Sequence, residues 1–464
     1  MFRTQILKTA PKELSHYTSR LNPGIGRAHK LLLDRGQGSY LYDASGKKYL
    51  DLACGIGVTN LGHCHPRLVK VVQNQAAKLW HGQLCHGVHT AMADLIEEMQ
   101  TILPEQLNSL MFSSTGAEAV ETALKIARSS TGRQNVVVMQ GGFHGRTNAC
   151  LSLTTSKYVY AQTTRPLMPG VVVAPPPYAT QLHIDNDTDV EVMSKRCLAV
   201  LEDLIHQASH PSEVAMLLVE PVLGEGGYLP LPAVYLRGLR QVCDKYGILL
   251  TFDEVQTGFM RTGSFFAFNQ FQVMPDILIF AKGIANGLPL AGVATRQEIA
   301  NKCPVGTHGG TYAGNALACA SAAEVIRVMK EEKIFDNVAE RNVQFMDALK
   351  NFAREPNSPI TEIRGRGLMI GIQFDAAAGF ASAVVNAAVE RGLVLLNTSK
   401  YEVLRLIPPL NITKEETDEA LQKLFDSIRA VSKDFKVTSN GGSVKPCCPT
   451  ACYGGNQPCR WLRV

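Results

Sequence analysis

The sequence has no apolar run long enough to cross a membrane and no cluster of basic residues. A membrane-spanning helix needs about 18 or more consecutive apolar residues, and no run in the 464 residues approaches that length, although 45% of them are hydrophobic. The 46 Lys and Arg residues are scattered among 41 Asp and Glu residues, whereas a nucleic-acid-binding protein carries a basic face. We therefore expect a globular protein with a small anionic ligand, and neither a membrane nor a nucleic acid as partner.

The sequence also lacks a secretory signal ahead of its cysteines. Eight of its twelve cysteines are spread singly between Cys54 and Cys319, which favours reduced thiols inside a cell over a disulfide framework. The first twelve residues, MFRTQILKTAPK, contain basic residues and no acid, as in a short, serine-poor mitochondrial presequence. We expect a cytoplasmic location, with the mitochondrion as the alternative.

No cysteine or histidine group has the spacing of a metal site. Residues 436–464 are rich in Gly, Pro, Ser and Cys and are predicted to be a disordered or appended tail. Its C-C-x3-C-x6-C spacing matches no zinc knuckle. A second group lies upstream and has no H-x3-H pair on a convincing helix: His63, Cys64, His65, His81, Cys85, His86 and His89. We expect no metal.

From about residue 66 to residue 293, helical stretches alternate with short apolar runs: NVVVMQGG, VAMLLVEP, GILLTFDE and DILIFAKG. This alternation predicts an α/β fold with a mostly parallel, doubly wound sheet, which binds ligands at the carboxyl ends of its strands. A long helix and further strands beyond residue 314 predict a smaller α/β domain. We expect an N-terminal segment at 1–60 that belongs to the small domain, a large domain at 61–315 and a C-terminal small domain at 316–435.

Two ionisable residues lie at the ends of predominantly apolar strands in this alternation. Lys282 follows ILIF in PDILIFAKGIANGLPLAG, and Asp253 ends the strand in LLTFDEVQTGF. Because both strands are predicted to be buried and parallel, we expect the lysine and the carboxylate at one edge of the sheet. A surface lysine and a salt-bridging aspartate are the plainer alternatives.

Two glycine-containing turns are expected at the same edge. The turn SSTG opens an amphipathic helix whose free N–H groups can bind a phosphate, and QGGFHGRT presents Phe143 and Arg146 where a flat ligand can approach. Taken singly, the SSTG turn is more simply explained as a plain N-cap and Phe143 as a core residue. An amine, a carboxylate, a phosphate cradle and a flat apolar surface together suit pyridoxal 5'-phosphate (PLP). A dinucleotide is disfavoured because no G-x-G-x-x-G follows an early strand.

These motifs, taken together, resemble those of a known family. The stretches STGAEAVETALKIAR, FHGRT, EPVLGEGGY, LTFDEVQTGFMRTG, PDILIFAKGIANGLPLAGV and GGTYAGNALACA closely resemble the class III aminotransferases, which are fold-type I PLP-dependent transferases. The resemblance extends from about Leu41 to Val431. It implies a homodimer with the active site at the interface, and a PLP-binding role for the large domain.

The resemblance also implies roles for individual residues. Lys282 would form the Schiff base with PLP and act as the catalytic amine, and Asp253 would pair with the pyridine nitrogen. Gly116 and Ala117 would hold the phosphate through their N–H groups, and Phe143 and Val255 would enclose the ring. Gln256 would bond the ring hydroxyl, and Thr311 would reach the site across the dimer interface. His144, next to Phe143 in the FHGRT turn, is a further cofactor-binding candidate.

Two arginines are candidates for binding substrate carboxylates, Arg146 and Arg405, because a guanidinium can bind a carboxylate through two bonds. Glu225 matches the residue that, in relatives acting on ω-amines, pairs with the second arginine. Ile56 lies where ornithine δ-aminotransferases carry a tyrosine, which disfavours ornithine. We expect transfer of an amino group from an ω-amino acid, best 4-aminobutyrate, to 2-oxoglutarate or pyruvate. Acetylornithine-type and alanine–glyoxylate aminotransferases are the alternatives.

Overall fold

The computed structural model describes residues 13–184, 188–398 and 401–435. In these ranges the strands are, in chain order, β1 (Leu33–Gln37), β2 (Tyr40–Asp43), β3 (Lys48–Asp51), β4 (Ser109–Ser113), β5 (Asn135–Met139), β6 (Val171–Ala174), β7 (Val214–Val219), β8 (Val222–Leu223), β9 (Leu229–Pro230), β10 (Leu249–Asp253), β11 (Ile277–Phe280), β12 (Ala291–Thr295), β13 (Ile360–Arg366), β14 (Met369–Phe374), β15 (Leu393–Val394), β16 (Leu396–Thr398) and β17 (Val403–Leu406).

The helices, in the same ranges and order, are α1 (Leu14–Thr18), α2 (Cys54–Gly57), α3 (Pro66–Ala76), α4 (Thr90–Gln100), α5 (Gly116–Thr131), α6 (Asn148–Leu153), α7 (Ala179–Leu182), α8 (Val190–Gln207), α9 (Ala233–Tyr246), α10 (Phe268–Phe271), α11 (Gln297–Ala300), α12 (Ala316–Glu331), α13 (Ile334–Ala353), α14 (Phe380–Glu390) and α15 (Lys414–Ser432). Short 3₁₀ turns lie at Tyr158–Tyr160, Pro211–Glu213 and Lys282–Ala285.

The largest sheet has seven strands in the order β4-β12-β11-β10-β7-β5-β6. Strands β11, β10, β7, β5 and β6 are parallel neighbours, and β12 is antiparallel to both β11 and β4. Six of these strands therefore point the same way, and their carboxyl ends lie at one edge. This confirms the predicted fold class, and the single reversed strand is its only departure from a parallel arrangement.

Helices cover both faces of the large sheet, as the apolar runs require. In β11, Ile277 and Ile279 belong to a core with α5, whereas Leu278 and Phe280 belong to the core on the other face. All four residues are buried. Successive side chains of a strand point to opposite faces of the sheet. A strand whose two faces are both covered by helices therefore has apolar residues at every position.

The remaining sheets are smaller. One has the order β1-β2-β3-β15, in which β15 lies parallel to β3, and another has the antiparallel order β13-β14-β17-β16. The pairing of Leu393 with Leu50 joins the N-terminal strands to the C-terminal part of the chain. Strands β8 and β9 form a two-stranded ribbon. The division at residues 60, 315 and 435 stays a prediction.

Two predicted features lie outside the described residues: the possible presequence at 1–12 and the Cys-rich tail at 436–464. Among the helices that the structure does describe, none is both long enough and apolar enough to cross a membrane.

Candidate active site

A buried hydrogen-bonded pair lies at the carboxyl end of β10. Oδ2 of Asp253 accepts a hydrogen bond from Nδ1 of His144 at 2.7 Å, and Oδ1 accepts one from the backbone N–H of Val255 at 3.0 Å. Both side chains are almost completely removed from water. A buried carboxylate needs such partners, and the pair places Asp253 and His144, which follow different strands, in direct contact.

A second buried carboxylate, Glu220, lies beside this pair. It follows β7 and accepts hydrogen bonds from the N–H groups of Phe143 at 2.8 Å and Gly224 at 3.0 Å. Burial, together with the negative charge of Asp253 and against the opposing effect of His144, raises the pKa of Glu220 to about 7. Sequence reasoning assigned no role to Glu220, although its position after the apolar run VAMLLV was the available signal.

Lys282 follows β11 at the same edge of the sheet. Its backbone has φ of 49°, in the left-handed region that non-glycine residues rarely adopt. Burial lowers the pKa of its amine to about 8, against the opposing negative charges of Glu220 and Asp253. A lowered pKa increases the fraction of neutral, nucleophilic amine at neutral pH.

The first turn of α5 combines a helix cap with free N–H groups. Oγ1 of Thr115 accepts from the N–H of Glu118 at 3.2 Å, and the Glu118 carboxylate accepts from the N–H of Thr115 at 2.9 Å. The N-cap interpretation of this turn is therefore correct. Because the cap uses neither Gly116 nor Ala117, their N–H groups stay available to an anion.

Close packing holds the start of α5 against Val255. A Cβ atom at Gly116 would lie 3.2 and 3.3 Å from the two methyl groups of Val255, which is tighter than ordinary van der Waals contact. Glycine at this position therefore lets the helix start approach the loop after Asp253.

Nε2 of His144 and Oε1 of Gln256 are among the buried polar atoms that have no hydrogen-bond partner within the described ranges. Buried polar atoms are nearly always paired, so these two indicate a polar ligand. The lysine amine, the Asp253 carboxylate, the free N–H groups of α5 and these atoms fit PLP, with its aldehyde, ring nitrogen, phosphate and ring hydroxyl.

Ile56 lies in a strained turn that contacts Gln256. Cys54 and Ile56 have φ of 48° and 67°, and positive φ is unfavourable for a β-branched residue. The carbonyl of Ile56 accepts a hydrogen bond from Nε2 of Gln256 at 3.2 Å, and its side chain is exposed. Such strain concentrates at functional sites.

Glu225 and Arg405 form a direct ion pair, with Nη1 of Arg405 2.7 Å from Oε1 of Glu225. Two residues that sequence reasoning missed bind the other carboxylate oxygen: Nζ of Lys157 lies 2.7 Å from Oε2, and the Tyr160 hydroxyl donates to it at 3.2 Å. Burial alone would raise the pKa of Glu225, but the charges of Arg405 and Lys157 outweigh it and lower the pKa to about 2.

Arg146 lies over the aromatic ring of Tyr160, the residue whose hydroxyl bonds Glu225. Its guanidinium lies 4.6 Å from the ring centre of Tyr160 and 5.9 Å from that of Phe143. These distances suit cation–π contact. The Arg146 side chain is otherwise exposed, which leaves its donors accessible to a carboxylate.

Comparison with known proteins identifies the family. Residues 24–428 match the sequence model described as aminotransferase class-III. The chain belongs to this family. It is therefore an aminotransferase of fold type I that depends on PLP, and the predicted fold, enzyme class and cofactor are confirmed.

Several relatives of this aminotransferase are similar over nearly their whole length. The 5-aminovalerate aminotransferase DavT of Pseudomonas putida is 36% identical over 422 residues, covering 89% of this chain and 97% of the relative. The 4-aminobutyrate aminotransferase GabT of Escherichia coli is 36% identical over 421 residues, covering 89% and 96%. An acetylornithine aminotransferase of Methanosarcina mazei is 39% identical over 395 residues, covering 85% and 91%.

A solved structure extends this likeness to the fold. An amine transaminase from an uncultivated Pseudomonas species, solved in its PLP-bound form, superimposes with a TM-score of 0.80 at 30% identity, covering 89% of this chain and 98% of that one.

Thr311 lies together with three of the upstream histidines. Thr311 is exposed and lines a shallow cleft with His81, His86 and His89. His89 caps α4 and bonds the Gly314 carbonyl at 2.8 Å. The role of Thr311 in a second subunit stays a prediction.

Proposed function

We propose that this aminotransferase transfers an amino group from an ω-amino acid, with 4-aminobutyrate as the preferred donor, to 2-oxoglutarate. The observation that carries the proposal is the 2.7 Å ion pair between Glu225 and Arg405. A donor with a single carboxylate leaves one of the two candidate arginines without a substrate partner, and an unpaired buried cation is costly. Glu225 removes that cost by neutralising Arg405.

The two arginines divide the work in this proposal. Arg146 binds the carboxylate that both substrates share, the only carboxylate of 4-aminobutyrate and the distal one of 2-oxoglutarate. Arg405 binds the α-carboxylate that only 2-oxoglutarate and glutamate carry, after Glu225 has moved aside. A guanidinium binds a carboxylate through two parallel bonds, so each arginine fixes one end of the substrate.

The residues at the sheet edge would perform the proton transfer. When bound, PLP supplies a carbon that takes up the amino group and a ring that stabilises the electron pair released at the substrate. Lys282 would remove a proton from the substrate carbon that carries the amine, for which a pKa of about 8 is suited. Asp253, held by His144, would keep a proton on the ring nitrogen. Gly116 and Ala117 would bind the phosphate, and Phe143, Val255 and Gln256 would contact the ring.

We also propose a homodimer. Tyr312 follows Thr311 and packs near His81, which lines the Thr311 cleft, and Trp80 directly precedes His81. Tyr312 and Trp80 are both 67% exposed, and an exposed apolar patch is typical of an interface. Light scattering should give about twice the 50.5 kDa chain mass, and a monomer at micromolar concentration would contradict the proposal.

An acetylornithine-type activity is the second candidate, supported by the 39% identity to the Methanosarcina mazei relative. A donor panel distinguishes the two: 4-aminobutyrate, 5-aminovalerate, N-acetylornithine, ornithine and β-alanine, each with 2-oxoglutarate and with pyruvate. We expect the highest kcat/KM for 4-aminobutyrate with 2-oxoglutarate. A clear preference for N-acetylornithine would replace the proposed donor.

A further inference from the structure

Glu225 is held by two cations, one on each carboxylate oxygen. Arg405 contacts Oε1 and Lys157 contacts Oε2, both at 2.7 Å. The three side chains are largely removed from water, with exposures of 5% for Arg405, 16% for Lys157 and 13% for Glu225. One carboxylate thus pairs with two positive groups in a poorly hydrated site.

This arrangement has a consequence when a substrate with an α-carboxylate binds. If the substrate takes Arg405, Glu225 loses that partner while it is still largely buried. A buried carboxylate without a cation is strongly unfavourable. Glu225 must therefore have another cation within reach, or it will compete with the substrate for Arg405.

We propose that Lys157 is the positioning residue that holds Glu225 when the α-carboxylate of a substrate occupies Arg405. Lys157 already bonds the oxygen that faces away from Arg405, so Glu225 can release Arg405 without losing its partner on Oε2. The hydroxyl of Tyr160 bonds the same oxygen at 3.2 Å and supports that position. This inference rests on the proposed function, and it makes Lys157 a determinant of dicarboxylate binding.

The role differs from direct substrate binding by Lys157. A lysine that bound the carboxylate shared by both substrates would assist both alike. A lysine that holds Glu225 assists only those ligands that displace Glu225 from Arg405. The comparison of a dicarboxylate with a monocarboxylate of similar length therefore separates the two roles.

The test uses the PLP-loaded enzyme and calorimetric binding of glutarate, a dicarboxylate, and of butyrate, a monocarboxylate. We expect Lys157→Gln to weaken glutarate binding by about tenfold or more, because a charge-assisted bond is lost, and to weaken butyrate binding by less than about threefold. Lys157→Arg, which keeps the charge, should restore most of the glutarate affinity. Lys245→Gln, which removes a lysine on α9 that pairs with Glu202 at 2.7 Å, controls for the loss of one positive charge.

The double variant Lys157→Gln/Glu225→Gln is decisive. Once Glu225 carries no charge, it needs no second cation, so the double variant should bind glutarate as Glu225→Gln does. Equal weakening of both ligands by Lys157→Gln, or a further loss of glutarate affinity in the double variant, would overturn the inference. Unchanged glutarate binding in Lys157→Gln would overturn it too. Thermal unfolding of each variant verifies that it is folded.

These outcomes are distinct from a failure of the proposed donor. Glutarate and butyrate carry no amino group, so their binding is independent of the donor that the panel identifies. Wild-type enzyme that does not bind glutarate would instead overturn both this inference and the proposed dicarboxylate acceptor.

Discussion

Asp253 and His144 form a buried hydrogen-bonded pair in which one nitrogen of the imidazole ring, Nδ1, is bonded to the carboxylate at 2.7 Å. The opposite nitrogen, Nε2, is buried and has no partner within the described ranges. Because a carboxylate fixes which nitrogen carries the proton, Asp253 also determines what His144 presents to a ligand. The negative charge of this pair is therefore central to the proposed chemistry.

The Asp253→Asn variant removes that charge and keeps the size of the side chain. The amide carbonyl can still accept the bond from His144, so we expect a folded enzyme. We expect turnover to fall by about a hundredfold or more, which corresponds to a loss of about 3 kcal/mol of electrostatic stabilisation. Steady-state kcat at saturating PLP measures the effect, and turnover near that of the wild type would contradict the role of Asp253.

Lys282→Ala should abolish turnover without unfolding the protein, because it removes the only amine that the sequence and the sheet edge together assign to the reaction. Borohydride reduction of the wild-type holoenzyme, followed by peptide mapping, should find PLP on Lys282. Lys245→Ala, at an exposed lysine, serves as a control, and this variant should keep the activity of the wild-type enzyme. Label on any other lysine would show that the assignment is wrong.

The lowered pKa of Lys282 predicts a pH dependence. Only the neutral amine is a nucleophile, and burial makes it neutral above about pH 8 instead of above its ordinary value of 10.5. Covalent capture of PLP by the apoenzyme should therefore accelerate as the pH rises and be half-maximal near pH 8. A midpoint near pH 10 would show that the amine is not desolvated. Lys282→Ala apoenzyme should capture none.

Gly283 provides a test of the packing that supports Lys282. A Cβ atom there would lie 2.3 Å from Nδ2 of Asn60, and Asn60 also bonds the buried guanidinium of Arg261 at 2.8 Å. We expect Gly283→Ala to destabilise the fold by about 1–3 kcal/mol, measured by urea unfolding. Gly309→Ala meets nothing within 4 Å and is the matched control. Equal stability of the two variants would contradict this account of the loop.

The sequence was informative where burial on both sides leaves a pattern. The run ILIF is apolar throughout because both of its faces are covered, and the same reasoning located Asp253 at the end of β10. The reversed direction of β12 could not be predicted, since the short stretch AGVAT is compatible with a parallel or an antiparallel neighbour. The pairing of β15 with β3 could not be predicted either, since a strand of two residues carries too little pattern to identify its neighbour.

Contacts between distant side chains were the least predictable part of the site. Lys157 and Glu225 are far apart in the sequence, and nothing in the stretch around Lys157 distinguishes it from an exposed lysine. Their contact depends on the path of the loop after α6, which no periodicity describes. Glu220 was more accessible to sequence reasoning, because it follows a buried strand at the edge where Asp253 and Lys282 also lie.

The proposed exchange of partners at the Glu225–Arg405 ion pair is tested by comparing the two half-reactions in Glu225→Ala and Arg405→Ala. If Glu225 neutralises Arg405 for a monocarboxylate donor, Glu225→Ala should slow the half-reaction with 4-aminobutyrate much more than the one with glutamate. Arg405→Ala should do the reverse, each by about 1.5–3 kcal/mol of charged hydrogen bonding. Glu202→Ala, at a surface ion pair with Lys245, controls for charge.

Single-turnover rates of each half-reaction, followed separately by the absorbance of the cofactor, give the answer. We expect opposite selectivity in the two variants. Equal slowing of both half-reactions by both variants would contradict the switch and would point to an α-amino donor or to the acetylornithine-type activity instead.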